Sequence, residues 1–336
     1  MTGFRKILVI KPSSLGDIVH SLAFLNTIYE CFPDASIHWV IARGLEDLLD
    51  GHPMIEKLWI IDKDKWKRPS QFLKTIREFR VLSRNLRSED FDLVVDLQGL
   101  FRSGFIASLT KAHDIIGFRE AREGSSFFYT RTVEGGTNIH AVDRYLRIAV
   151  SLGCKVSDIR FPLQTTNSYE NIKNKFALPD EYFILVPGAR WDTKRWSPEK
   201  FGKVASELNV RSVIVGSSSD VEIAEQAKDS SNGKAISLTG RTTLKELISI
   251  IKNAKGMLTN DTGPMHIAAA LQVPVYAVFG PTDDTLTGPY GTKKVIFRSD
   301  SSCSPCFKKS CDDLTCMETI SADDVAGKIK KDMELS

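Results

Sequence analysis

The residues able to do chemistry fall directly behind short β-branched runs. Lys6–Ile10 leads into Lys11-Pro12-Ser13-Ser14-Leu15-Gly16-Asp17, and the next apolar residues, Ile18, Leu22 and Leu25, have helical spacing. A carboxylate there suits a general base that takes a proton from an attacking hydroxyl, a role worth typically ~10²–10⁴-fold in rate. Asp17 is that candidate, with Ser14 beside it for acceptor contact. A helix N-cap is the plainer reading of the same residue. Phe183–Val186 leads into Pro187-Gly188-Ala189-Arg190-Trp191-Asp192-Thr193-Lys194. Lys194 there could neutralise a departing diphosphate, or be a solvated lysine. Gly256–Leu258 leads into Thr259-Asn260-Asp261-Thr262-Gly263-Pro264-Met265-His266. Small residues ahead of a helix with Pro at its start let an anion approach free backbone N–H groups. Asp261, Thr262, Gly263 and His266 are therefore phosphate-end candidates, with an ordinary N-cap as the alternative. Asp220, behind Ser212–Val215, could accept ribose hydroxyls or simply favour the next helix start.

A second set of residues suits an anionic partner. Between Asp62 and Arg87 nine basic residues stand against three acidic ones. Lys65, Lys67 and Arg68 lie in a strand-end loop, whereas Lys74, Arg77, Arg80, Arg84 and Arg87 form one side of a helix whose neighbouring side is Phe72, Ile76, Phe79, Leu82 and Leu86. The stripe from Arg80 to Arg87 reads as a solvated face. Gln98 follows the strand Leu93–Asp96; Arg119, Arg122 and His140 add further polar candidates. Four of six cysteines follow Cys303-x2-Cys306-x4-Cys311-x4-Cys316, with Cys31 and Cys154 apart. A structural zinc or other metal, a disulfide formed on oxidation and plain thiols are all open readings of that cluster. None of them is catalytic.

Several function classes are excluded. The chain of 336 residues has 45 Lys+Arg against 42 Asp+Glu, a formal charge of +3, so the whole does not demand a nucleic acid. No apolar run approaches the ~20 residues of a membrane span. The N-terminus lacks an apolar signal segment, which predicts a mature cytoplasmic protein. Neither GxxxxGK[ST] nor G-x-G-x-x-G is present in the required context, which argues against a P-loop NTPase and an NAD-binding enzyme.

The elements that must carry these residues are continuous apolar strands alternating with helices. The strands are Lys6–Ile10, Ser36–Ile41, Lys57–Ile61, Leu93–Asp96 and Asp114–Gly117, then Phe183–Val186, Ser212–Val215, Ala235–Ser237, Gly256–Leu258 and Val275–Phe279. Such alternation predicts parallel sheets covered on both faces, an α/β protein of two doubly wound, Rossmann-like domains. The polar stretch Phe161–Pro179 is the linker. The expected domains are 1–165 and 176–320, with 321–336 a final helix. Open parallel sheets bind ligands at the carboxyl ends of their strands, which is where the candidates fall.

Over nearly its whole length the sequence resembles the ADP-heptose:lipopolysaccharide heptosyltransferases of glycosyltransferase family 9. ILVIKPSSLGDIVHSL, FDLVVDLQGLFRSG, TKRWSPEKF, LTNDTGPMHIAAAL and VFGPTDDTLTGPYG carry the likeness. The resemblance implies a GT-B fold with two domains facing across a cleft, and a final helix packing back on the first domain. It implies inverting, metal-independent transfer of L-glycero-D-manno-heptose from ADP-heptose to lipopolysaccharide, by a monomer peripheral to the inner membrane. Asp17 matches the family's base; Lys194, Asp261, Thr262, Gly263 and His266 match donor-binding positions. The stretch GFREAREGSSFFYTRTV with HAVDRYL looks like heptosyltransferase I, whose acceptor is a Kdo sugar; Arg122, His140 and the Lys65–Arg68 loop would then meet the anionic Kdo-lipid A. Two departures stand out. Ala189 and Arg190 occupy positions where heptosyltransferase I has two threonines, and the Cys303–Cys316 cluster is more like heptosyltransferase II. The alternatives are heptosyltransferase II, another GT-B nucleotide-sugar enzyme such as an epimerase, and, remotely, a non-enzymatic metal- or nucleic-acid-binding protein.

Overall fold

The computed structural model describes residues 3–62, 72–165 and 168–334. Lys65, Lys67 and Arg68 lie outside them. The chain divides into two compact units, Met1–Leu163 and Gln164–Ser336.

In the first unit the elements run β1 (Lys6–Ile10), α1 (Leu15–Cys31), β2 (Ser36–Ala42), β3 (Lys57–Ile61), α2 (Phe72–Ser88) and β4 (Leu93–Asp96). They continue through α3 (Phe101–Leu109), β5 (Asp114–Phe118), β6 (Arg131–Val133) and α4 (Ala141–Ser151). All strands pair in parallel in the order β3-β2-β1-β4-β5-β6. Helix α1 is packed against α4 as well as lying behind β1, so it must be apolar nearly all round. Between Leu15 and Ile28 its only Asp, Glu, Lys or Arg is Asp17. Helix α2 places Leu86 in the core with Phe79 and Leu82 packed against it, while Arg77, Arg80, Arg84 and Arg87 are exposed.

The second unit begins with α5 (Tyr169–Phe176), β7 (Tyr182–Val186), α6 (Pro198–Glu207), β8 (Arg211–Ile214), α7 (Val221–Asp229) and β9 (Ala235–Ser237). Then follow α8 (Leu244–Lys252), β10 (Met257–Asn260), α9 (Gly263–Ala270), β11 (Val275–Val278), α10 (Asp284–Thr287), β12 (Lys294–Phe297), α11 (Thr315–Glu318) and α12 (Ala322–Glu334). Its sheet order is β12-β11-β10-β7-β8-β9. Counted from β7, that is the same order as in the first unit. Both sheets therefore have the doubly wound Rossmann topology, with strand order reversing between β1 and β4 and between β7 and β10.

Four features differ from the sequence expectation. The edge strands β6 and β12 went unread because one is three residues long and the other is only partly buried. The polar stretch after Phe161 contains helix α5, which buries Ile172 and Phe176 and packs on α8, so the second unit starts well before residue 176. The last helix, expected on the first domain, instead lays Val325, Ala326 and Ile329 into the second unit's core beside α6. Tyr276 and Lys328 both hydrogen-bond Asp332 on that helix, and Lys330 pairs with Glu207. Finally, Cys31 and Cys154, read as isolated, form a disulfide that ties the end of α1 to the residues after α4.

Candidate active site

At the reversal point of the second sheet, β7 and β10 end side by side. Asn260, fully buried at the end of β10, donates from Nδ2 to the Pro187 carbonyl at 2.7 Å and accepts from the Trp196 N–H at 3.1 Å. Trp196 is itself buried and donates its indole N–H to the Ile320 carbonyl. These bonds fix the loop between β7 and α6 against the end of β10. The consequence is a 2.5 Å ion pair between Lys194 Nζ and Asp261 Oδ2. Thr282, behind β11, donates to the same carboxylate oxygen at 2.7 Å. The Lys194 ammonium also sits 4.5 Å from the centroid of the Trp191 ring. Helix α9 starts at Gly263 with Thr262 as N-cap and Pro264 in its first turn; His266 is buried one turn in. Pro264 has no N–H to donate and the Met265 N–H bonds back to the Thr262 carbonyl at 3.1 Å, so this helix start, next in the chain to Asp261, lies at the Lys194 ion pair. Asp220 lies against Gly188, whose lack of a side chain permits the approach, and its Oδ2 accepts from the Ser217 N–H and hydroxyl. These bonds make Asp220 the third residue of a short turn capped by Ser217, and its side chain makes no cap bond to α7.

The reversal point of the first sheet carries Asp17. It is not the N-cap but the third helical residue: Ser14 caps α1, and its N–H and hydroxyl both donate to Asp17 Oδ2, at 3.0 and 2.7 Å. The other oxygen faces Tyr145 on α4, whose hydroxyl donates at 3.4 Å, and Lys11 Nζ at 3.9 Å. Asp17 keeps 39% of its side-chain surface open, whereas the Lys11 side chain keeps 4%. Gln98, two residues past β4, accepts from the Ser13 N–H. Beneath it, fully buried Asp96 accepts from Gln98 N, Gly99 N and the Tyr129 hydroxyl, and burial raises its carboxyl above the usual range. Arg122 is exposed, and its backbone N–H joins it to the Gly99 carbonyl. His140 caps α4 and packs edge-on against His20 of α1 at 5.1 Å. Ser14, Asp17 and Gln98 are thus linked through neighbouring residues at one sheet end, with His140 against α1 and Arg122 tied to Gly99. Arg119 stands apart, paired with Glu134. Sequence reading passed over Lys11, Tyr145 and Thr282; only Lys11, directly behind β1, carried a local signal.

The four cysteines of the late cluster are free thiols, and among the described residues no group of three or more His, Cys, Asp or Glu is disposed to hold a metal ion. The loop that carries them has a packing role. Their loop braces the site: Thr193 donates to the Lys308 carbonyl, Phe307 N–H to Pro281, and Ser304 to Gly280. Burial and the neighbouring thiols push the Cys316 thiol up.

The family model of glycosyltransferase family 9 (heptosyltransferase) matches residues 79–316. The chain belongs to this family. It is a glycosyltransferase, and its relatives carry the same description: lipopolysaccharide heptosyltransferase 1 of Pseudomonas aeruginosa is 29% identical over 319 residues, covering 91% of this chain and 87% of that one. Among solved structures, a family 9 glycosyltransferase from Veillonella parvula superposes with a TM-score of 0.84 at 23% identity, covering 100% and 99% of the two chains. The Escherichia coli heptosyltransferase WaaC, solved with ADP, gives 0.77 at 24% identity over 97% and 99%. These likenesses identify the family 9 fold, the GT-B architecture of two Rossmann-like domains.

Proposed function

We propose that this family 9 enzyme transfers L-glycero-D-manno-heptose from ADP-heptose to the Kdo sugar of the lipopolysaccharide inner core, as heptosyltransferase I does. The observation that carries the reading is the Lys194–Asp261 pair beside the start of α9: a fixed cation at a helix start and a strand-order reversal suits a nucleotide diphosphate. The described name of the Pseudomonas relative supports the heptose donor and the first acceptor step. In this reading the second unit binds ADP-heptose, with Lys194, Asp261, Thr262, Gly263 and His266 at the diphosphate and Asp220 at the ribose. The first unit binds the acceptor through Ser14, Gln98, Arg122, His140, Lys65, Lys67 and Arg68.

Asp17 removes the acceptor hydroxyl proton as that oxygen forms a bond to the anomeric carbon. The bond from that carbon to the diphosphate oxygen breaks on the opposite side, its electron pair leaving with ADP, so the configuration inverts. Positive charge at the leaving group comes from Lys194 and the helix start, pre-aimed and therefore not reorganised during reaction, which makes the step metal-independent. The acceptor is a membrane lipid, so the enzyme works at the cytoplasmic face of the inner membrane, in this reading as a monomer. A transfer assay with ADP-heptose tests the reading. Kdo₂-lipid A should accept heptose while its heptosylated product does not, with equal rates in chelator. Preference for the heptosylated lipid would make it a heptosyltransferase II, and donor conversion without acceptor would make it an epimerase.

A further inference from the structure

Lys11 is an unusual residue to find at the bottom of a reaction site: a lysine at the end of a central strand, 3% exposed, with no solvent for its charge. Its backbone is fixed by the Trp39 indole N–H, which donates to the Lys11 carbonyl at 3.2 Å. Its ammonium donates to the Leu97 carbonyl at 3.4 Å, lies 3.9 Å from Asp17 Oδ1, and sits 5.1 Å from the centroid of the Tyr145 ring. Tyr145, 4% exposed on α4, aims its hydroxyl at the same oxygen. Burying a lysine is costly unless its charge is compensated, so a protein has reason to place one there only where that charge acts on a neighbour.

We propose that Lys11 and Tyr145 are positioning residues that clamp Oδ1 of Asp17 from below while Ser14 holds Oδ2, fixing the orientation of the base and keeping it ionised. The proposal rests on the reading of Asp17 as the base. Every element around Lys11 contributes to its field: Asp17 from α1 and Asp96 from the end of β4 favour its charge, whereas Arg122 after β5 and Arg144 on α4 oppose it. Burial pulls its ammonium below the ordinary value against the pull of the two carboxylates. Burial and the Asp17 charge together keep the Tyr145 hydroxyl protonated, and so a donor. The clamp joins the β1–α1 segment to α4, at a sequence separation of 128 between Asp17 and Tyr145.

The test is the pH profile of kcat/KM for the full-length enzyme and three variants, with thermal melts as a folding check. An opposite charge within a few ångströms holds a carboxylate ionised to lower pH, so Lys11→Met should move the acid limb up by about one pH unit. Its rate should fall roughly tenfold below the limb and recover on the plateau, with ADP affinity unchanged. Tyr145→Phe should move the limb the same way by about half a unit, and it decides the matter alone if Lys11→Met does not fold. Asp17→Asn should lose at least ~10²-fold at every pH. If the folded Lys11 and Tyr145 variants keep the native limb while Asp17→Asn is inactive, the clamp is wrong and the base stands. Native turnover in Asp17→Asn would remove the base assignment, and the clamp with it.

Discussion

Lys194 and Asp261, 67 residues apart in sequence, form a largely buried ion pair that joins the loop after β7 to the end of β10. The pair holds a cation at the start of α9 and hands the carboxylate a second donor in Thr282. Removing one partner would leave the other buried without its countercharge.

That asymmetry separates folding from donor binding. Lys194→Met should lower the melting temperature and weaken ADP binding roughly tenfold to hundredfold, the range expected for a lost charged hydrogen bond of about 1.5–3 kcal/mol. In the double variant Lys194→Met/Asp261→Asn the melting temperature should largely return while ADP affinity does not. Titration calorimetry beside thermal melts checks this; recovery of both together would place the pair outside the donor site.

Gly202 on α6 faces α7 so closely that an added Cβ would stand 2.5 Å from Ser230 Cβ and against the Ala227 carbonyl. Backbone cannot give way as a flexible side chain can. Gly202→Ala should therefore destabilise the protein by about 1–3 kcal/mol, the usual cost of overpacking, seen as a lower denaturation midpoint. An unchanged midpoint would contradict this close packing.

The Cys31–Cys154 disulfide closes a sequence separation of 123 residues. Non-reducing denaturation should expose four titratable thiols, and full reduction six. Cys154→Ser should lower stability by about 3–5 kcal/mol when compared under oxidising conditions, the range for closing so long a loop. Six thiols without reductant would show the pair to be open in solution.

His38 and His52 make the first unit sensitive to mild acid. The Nδ1 of His38 accepts from the Trp59 indole, and the Nδ1 of His52 accepts from the Met54 N–H while its Nε2 donates to the Pro162 carbonyl. Protonating either Nδ1 would break the bond it accepts, and burial lowers both rings from the ordinary value of 6.5. Because the unfolded chain binds these protons first, the stability they support is whole above pH 6.5 and declines as pH falls from there through the lowered folded values. Melting temperature should drop between pH 7 and pH 5, and His38→Gln should flatten the curve. An equally steep fall in that variant would exclude His38.

The sequence by itself determined ten of the twelve strands, the alternation that makes two parallel sheets, and the loops where chemistry is found. These are local properties: an apolar β-branched run, a Gly or Pro behind it, a helical spacing after it. It also marked Asp17, the single Asp, Glu, Lys or Arg in the apolar first half of α1, and Lys194 and Asp261 in separate loops. What it could not determine was which of these meet. The Lys194–Asp261 pair and Thr282 on Asp261 depend on sheet order, because the pairing of β10 with β7 and β11 sets those strand ends side by side, whereas the Tyr145 contact to Asp17, the Cys31–Cys154 bridge and the docking of α12 on α6 depend on helix packing. The cysteine spacing left a metal, a disulfide and plain thiols open, and the fold uses that loop to brace the strand ends. The bracing itself was decided only by tertiary structure, through contacts with distant backbone such as Thr193 to Lys308, 115 residues away, which no local pattern encodes.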